Sequence, residues 1–414
     1  MFNQSHANIV IIGHVDHGKS TLIGRLLLDT NSLPKEKLSE IKRVSRELGA
    51  ESELAFLTDQ LREEREQNRT IDTTQTFFKT RKRNYVIIDA PGHAEFIKNM
   101  ITGASLAQAA ILIIDAQEGI MEQSRRHAYI IKMLGIEKVI AVLNKMDLIH
   151  YAEEKFRELK NGSGELLNNL GIAPSFILPI SAKEGENISL PSAKMPWYQG
   201  PCLLDALDSL KPDKKPRGRN FRFCVQDNYE INGEKITVGR VASGKIRLGQ
   251  EVVILPSLKQ AKVNSIRVFG KQLKQAGEGE NIGLTFAPAL SAGRGAVIAS
   301  LKGTPRTAGL FKANIFWLSQ EPLTIGKPMI LRCATQEAGC AVQRIEQRID
   351  SALAEGIIET DAKELKTNEA GVVILKTQAP LVMEEFFAQE ELGKFILEIG
   401  YNPCAAGTIK EVLE

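Results

Sequence analysis

Ile9-Val10-Ile11-Ile12-Gly13-His14-Val15-Asp16-His17-Gly18-Lys19-Ser20-Thr21 is the stretch that decides the fold. Residues 13–20 fit G-x-x-x-x-G-K-[ST]. An apolar, strand-like run precedes the motif, and a helical pattern, Thr21-Leu22-Ile23-Gly24-Arg25-Leu26-Leu27-Leu28, follows it. Strand, glycine-rich turn and helix in that order are the context of a phosphate-binding loop. Gly13 and Gly18 let the backbone turn its N–H groups inward, and the helix N-terminus adds positive potential at the same place. Lys19 is expected to reach the β- and γ-phosphates, and the Ser20 hydroxyl to bind Mg²⁺.

Outward from this loop, strand and helix patterns alternate to about residue 210. Strands are expected at 8–12, 74–80, 85–89, 109–115, 138–143 and 176–180, and helices near 19–29, 94–103, 121–134, 152–170 and 202–210. The alternation predicts an α/β domain with a mainly parallel sheet and helices on both faces, strand 74–80 being an antiparallel edge. Leu38, Ile41, Val44 and Leu48 recur at helical spacing and predict an amphipathic helix within 33–48. Lys211-Pro212-Asp213-Lys214-Lys215-Pro216-Arg217-Gly218 reads as a linker. Beyond it the pattern turns to short strands with Gly-rich turns, broken again near Gly303-Thr304-Pro305-Arg306. Three domains are expected: a nucleotide-binding domain over 1–212 and all-β barrels over 219–303 and 307–414. The 341–354 stretch is ambiguous between helix and strand.

Three further motifs fall at strand ends, where ligands bind in such folds. Asp89-Ala90-Pro91-Gly92-His93 places an Asp on the Mg²⁺ side and a Gly N–H toward a γ-phosphate. Asn144-Lys145-Met146-Asp147 offers a carboxylate to the two donors on the Watson–Crick edge of guanine, a pair that adenine lacks, so the nucleotide is GTP. Ser181-Ala182-Lys183 is expected to bring a backbone N–H to the guanine oxygen. Thr70, between the loop and Asp89, is placed to complete the Mg²⁺ shell and to let go on hydrolysis.

Composition narrows the rest. The 414 residues exceed one core, and 43% hydrophobic with 25% charged residues is ordinary globular usage. No run approaches the roughly 18 apolar residues of a membrane span, and Met1–His6 carries no secretion signal, so a cytoplasmic protein without a membrane partner is expected. The net charge of +3 argues against a nucleic-acid partner. Five cysteines without a C-x-x-C read as reduced, structural thiols.

Gly13–Ser20, Asp89–His93 and Asn144–Asp147 resemble the translational GTPase superfamily of elongation factors Tu and 1-alpha, as does the arrangement of two barrels after the nucleotide domain. The resemblance implies GTP hydrolysis with His93 positioning the attacking water. It also implies an apolar Gly-Ile gate before Thr70, where this chain has Asn68-Arg69. Within the superfamily, Leu22–Leu27, Gln123–Tyr129, Met195–Pro201, Ile315–Leu318 with Glu321–Leu323, and Leu331–Glu337 look most like the GTPase subunit of bacterial sulfate adenylyltransferase. That family would imply a subunit coupling GTP hydrolysis to adenylyl sulfate formation, partnered by a small adenylyltransferase subunit. His17 is instead the elongation-factor form of the loop, where the sulfurylase subunit often has Asp. The alternative is an elongation-factor-like GTPase delivering aminoacyl-tRNA.

Overall fold

The apolar run before the loop forms β1 (His6–Gly13), whose Ile9, Val10, Ile11 and Ile12 are each at most 1% exposed. A strand buried on both faces must sit inside a parallel sheet covered by helices. The computed structural model describes residues 6–33, 75–89, 107–210, 219–231, 233–268, 271–352 and 356–414. It divides into two units, Met1–Asp213 with Ser351–Gly356 and Lys214–Asp350 with Ile357–Glu414.

In the first unit, β2 (Gln75–Lys79), β3 (Asn84–Asp89), β4 (Ala109–Asp115), β5 (Val139–Asn144) and β6 (Phe176–Pro179) join β1 in the order β2-β3-β1-β4-β5-β6. Only β2 is antiparallel, to β3. It is an edge strand, and its alternation shows: Phe78 is buried and stacks on Tyr85, whereas Phe77 is 58% exposed. Among the described residues the helices are α1 (Lys19–Asp29), α2 (Glu122–Met133), α3 (Glu153–Asn169) and α4 (Leu203–Ser209). α1 buries Leu22, Ile23, Leu26 and Leu27, the i, i+1, i+4, i+5 stripe of a helix laid on a sheet. The chain grows to β3 on one side of β1 and to β4 on the other. A crevice therefore opens at the carboxyl ends of these strands, where Asp89, Gly13, Asp115 and Asn144 stand.

The second unit is two closed six-stranded barrels. The first runs Glu251–Leu255, Val297–Ser300, Arg222–Ile231, Glu234–Ser243, Asn281–Ala287, Lys259–Val268 and back to Glu251–Leu255. The other runs Pro328–Cys333, Lys394–Ile399, Asn402–Val412, Arg306–Trp317, Glu369–Met383, Gln336–Asp350 and back to Pro328–Cys333. Each has its own apolar core, around Phe223 and around Trp317. The expected α/β nucleotide domain followed by two β-barrels is what the chain forms. Residues 341–350 belong to a strand rather than a helix. The helices expected near 33–48 and 94–103 lie outside the described residues, apart from Leu33.

A third apolar cluster joins the barrels: Cys224, Val253, Leu255, Val297 and Ala299 pack with Val382 and Leu392. Beside it the Arg222 guanidinium, 3% exposed, grips Glu384 through two bonds of 2.8 Å and donates to the Gly303 carbonyl at 2.6 Å. Removing one partner of a buried pair leaves the other charge uncompensated. Arg222→Met is therefore expected to destabilise the barrel unit by about 3 kcal/mol. Arg222→Met/Glu384→Leu should recover most of that loss. Urea midpoints of the three proteins check it; a single variant as stable as the parent would show that the pair contributes nothing.

All five cysteines are free and buried. Burial pushes the Cys333, Cys340 and Cys404 thiols up to about 12, so they are core residues and not thiolates.

Candidate functional site

The phosphate-binding loop is fixed by two close approaches. A Cβ on Gly13 would stand 2.5 Å from the Ile113 carbonyl oxygen of β4. Gly18, at φ 90°, would place one 2.4 Å from Asn144 Nδ2. His14, Val15 and Asp16 make the outer bend, with Asp16 left-handed at φ 64°. α1 starts after Gly18 with no acidic residue in its first turn, so its positive end is not neutralised there. Lys19 is 8% exposed, and its Nζ donates to the Gly13 and His14 carbonyls, 2.7 Å each. Ser20 and Thr21 occupy the same first turn. A buried ammonium, a helix N-terminus and a backbone turn with glycine at both ends together fit a polyphosphate.

His17 and His127 add little to that charge. Burial lowers the His17 pKa. Its Nε2 lies 3.3 Å from the Glu118 carboxylate, and its Nδ1 lies 3.3 Å from the Asp115 N–H. With the proton on Nε2 neutral His17 meets both contacts; with it on Nδ1 the ring donates instead to the Ile113 carbonyl, also at 3.3 Å. His127, from α2, is pushed down to about 3 by burial and by the neighbouring Lys19, His14 and His17. It is neutral at physiological pH.

The base end is built from β5 and the loop after β6. Asn144 spans the two halves of the site: Nδ2 donates to the His17 carbonyl at 2.9 Å, and Oδ1 accepts the Ala182 N–H at 3.0 Å. Lys145, left-handed at φ 63°, pairs with the buried Asp115 carboxylate at 2.7 Å. The other Asp115 oxygen accepts the Gln117 N–H at 2.7 Å. Met146 is fully buried beneath the turn. Asp147 accepts a 2.6 Å hydrogen bond from the Ser181 hydroxyl, which fixes its carboxylate beside the 181–183 loop. The Ala182 N–H, being on Asn144, is committed within the protein.

The structure thus gathers Gly13 to Thr21, Asn144 to Asp147 and Ser181 to Lys183 into one crevice. Asp89 joins them through its backbone, which pairs with Ile11 two residues before Gly13. Thr70, Ala90, Pro91, Gly92 and His93 lie outside the described residues, as do Asn68 and Arg69. Arg25, Asp115, Glu118 and His127 were not legible as site residues, because each meets its partners in the site from 30 to 158 positions away in sequence. Asp115 carried the one available signal, an acidic residue ending an apolar strand. Among the described residues no group of three or more His, Cys, Asp or Glu side chains is placed to hold a metal. A cation here would take its ligands from phosphate oxygens and hydroxyls, which suits Mg²⁺.

Residues 4–213 match the family model for the Elongation factor Tu GTP binding domain. Residues 234–298 match Elongation factor Tu domain 2, and residues 310–410 match GTP-eEF1A C-terminal domain-like. Elongation factor 1-alpha of Pyrococcus woesei is 39% identical over 98% of this chain and 97% of its own length. That of Methanothermobacter thermautotrophicus is 37% identical over 98% and 97%. The chain belongs to the translational GTPases of the elongation factor Tu and 1-alpha type. The family binds GTP with Mg²⁺. Among solved structures, Sup35 complexed with GMPPNP aligns over 100% of this chain and 95% of that one, at 24% identity and a TM-score of 0.46.

These relatives correct the narrower resemblance. Curated relatives matching the whole chain are named elongation factor 1-alpha, which overturns the sulfate adenylyltransferase subunit, its coupling to adenylyl sulfate formation and the small adenylyltransferase partner. Many residues of the stretches that carried that resemblance serve packing. Trp197 and Tyr198 pack on Phe156, and the Trp197 indole donates to the Tyr151 carbonyl at 3.1 Å. Ile315, Phe316 and Trp317 are fully buried in the last barrel, with Leu331 and Cys333 close by in its core. Such residues report how a translational GTPase is packed and not what it touches. The expectation of no nucleic-acid partner is likewise overturned by these relatives. Residues 219–303 hold 13 Lys and Arg against 6 Asp and Glu, a surplus of +7 that the chain-wide +3 conceals. No helix among the described residues is long and apolar enough to cross a membrane.

Proposed function

We propose that this GTPase is a cytoplasmic elongation factor that carries aminoacyl-tRNA in its GTP form and releases it after hydrolysis. The observation that carries the reading is the match to elongation factor 1-alpha across nearly the full length of both chains. The basic barrel supports it. Lys245, Arg247, Lys259, Lys262 and Lys274 are all exposed on strands or turns of residues 219–303, the charge an RNA backbone requires. The same barrel has a cavity of about 630 Å³ lined by Ile231, Ile236, Val238 and Ile282 together with Arg267 and Lys271. Apolar walls with cations suit a group that is part base or side chain and part phosphate.

In this reading Lys19 neutralises the β- and γ-phosphates, and the loop amides from His14 to Thr21 cradle them. Ser20 and Thr70, with Asp89 nearby, would hold Mg²⁺, and the cation would supply positive charge for the departing diphosphate. Gly92 senses the γ-phosphate through its N–H, and His93 orients the attacking water. Asn144 and Asp147 read the base with Ser181, Ala182 and Lys183.

Filter binding of aminoacyl-tRNA tests the reading. The protein loaded with a non-hydrolysable GTP analogue should bind at least tenfold tighter than the GDP-loaded protein. The affinity should fall at least tenfold between 50 and 200 mM salt, as expected of several phosphate contacts. Equal binding in the two nucleotide states, or none at low salt, would overturn it.

A further inference from the structure

We propose that Arg25 is a positioning residue for guanine recognition, acting on Asp147 through the loop after β6. The proposal rests on reading this crevice as a guanine site. Arg25 lies in α1, six residues and about 9 Å along the axis from Lys19. Its guanidinium does not face the phosphate loop. Nε donates to the Ala182 carbonyl at 3.1 Å, and Nη2 donates to the Lys183 carbonyl at 2.5 Å. The third nitrogen, Nη1, lies 3.7 Å from Asp29, whose other oxygen accepts the Ser189 hydroxyl at 2.8 Å. The fork is thus anchored on its own helix while it holds two successive carbonyls, a task suited to a planar guanidinium.

Those two carbonyls belong to the loop that fixes the base-reading carboxylate. In a trans peptide the C=O and N–H point opposite ways. Drawing the Lys183 carbonyl toward Arg25 turns the Glu184 N–H of the same peptide the other way, where it donates to Ser181 Oγ at 3.2 Å. The Ser181 hydroxyl then donates to Asp147 Oδ1 at 2.6 Å. A continuous chain of polarised groups runs from the Arg25 cation to the Asp147 carboxylate, and each bond in it strengthens the next. The Ala182 carbonyl, held the same way, turns the Lys183 N–H away from α1. The helix that begins at the phosphate loop therefore also sets the base loop, although Arg25 touches no ligand.

Asp147 reads the donors on N1 and the exocyclic amine of guanine, and inosine lacks that amine. The test is binding of GDP and of inosine diphosphate to the full chain and to Arg25→Met, Arg25→Lys and Ser181→Ala. In Arg25→Met, GDP is expected to bind about tenfold more weakly and inosine diphosphate no more than threefold more weakly, so the preference for the amine shrinks. Arg25→Lys, a point charge able to hold one carbonyl, should fall between. Ser181→Ala should reduce the preference in the same way, and combining it with Arg25→Met should add little. If Arg25→Met does not fold, Arg25→Lys decides by the same ratio. Equal weakening of both nucleotides, or no weakening, would overturn the role of Arg25. A parent protein with no preference for GDP over inosine diphosphate or ADP would instead remove the guanine reading itself.

Discussion

Asp147→Asn is expected to weaken GDP and GTP binding by a factor of about 10² to 10³ and to shift preference toward xanthosine nucleotides. The carboxylate is held on one oxygen by the Ser181 hydroxyl, and an asparagine keeps that contact through its amide oxygen. It replaces the second acceptor with an NH₂ group, which faces the guanine amine donor to donor. Hydrogen bonds to a charged group contribute about 1.5–3 kcal/mol each, so the loss of their charge together with one mismatched contact comes to about 3–4 kcal/mol. Xanthine carries a carbonyl where guanine carries its amine, and there the same NH₂ finds an acceptor. Competition titrations with GDP, ADP and xanthosine diphosphate provide the measurement. Unchanged GDP affinity would remove Asp147 from base recognition.

The second large effect is expected at Gly18. An alanine there would hold φ near 90°, outside the region that L-residues favour, at about 1–3 kcal/mol. Its methyl would also press on Asn144 Nδ2. Asn144 is the side chain that ties the His17 carbonyl to the Ala182 N–H, so the displacement is felt at both ends of the crevice. Losing those two bonds adds about 1 kcal/mol apiece. Gly18→Ala should therefore weaken GDP and GTP by about a hundredfold or more. Calorimetry on the variant, with its melting curve as a check on folding, gives the answer. A tenfold loss or less would mean that the loop relaxes around the methyl.

Much of this fold was legible because its elements are long and regular. Ala109–Asp115 is buried at every position and reads as a continuous apolar strand, and β2 reads as an edge because Phe77 and Phe78 alternate. Residues 341–354 defeated periodicity for a physical reason. In Gln336–Asp350 the buried positions run 336, 338, 340, 342 and then 345. Bulges shift the register between Val342 and Arg344 and again between Ile345 and Gln347, so a spacing of two becomes three and imitates a helix turn. The nucleotide motifs could be proposed from the sequence because each is contiguous. Arg25 could not be, since nothing in Leu22–Leu27 shows that its side chain reaches a loop 157 positions on. The partner was misread because the stretches compared are rich in core residues, while the basic residues of 219–303, which bear on the question, are scattered along five strands and the turns between them.

The five buried thiols give the chain an internal clock. Cys202 lies in the first unit, Cys224 in the first barrel, and Cys333, Cys340 and Cys404 in the second. A thiol that is covered and protonated reacts with an alkylating reagent only when its surroundings open. The labelling rate at each position therefore reports how often that part of the molecule breathes, with no probe introduced. Followed by peptide mass spectrometry in the presence of GDP or a GTP analogue, the five rates would show which body is quietened by nucleotide and which continues to fluctuate.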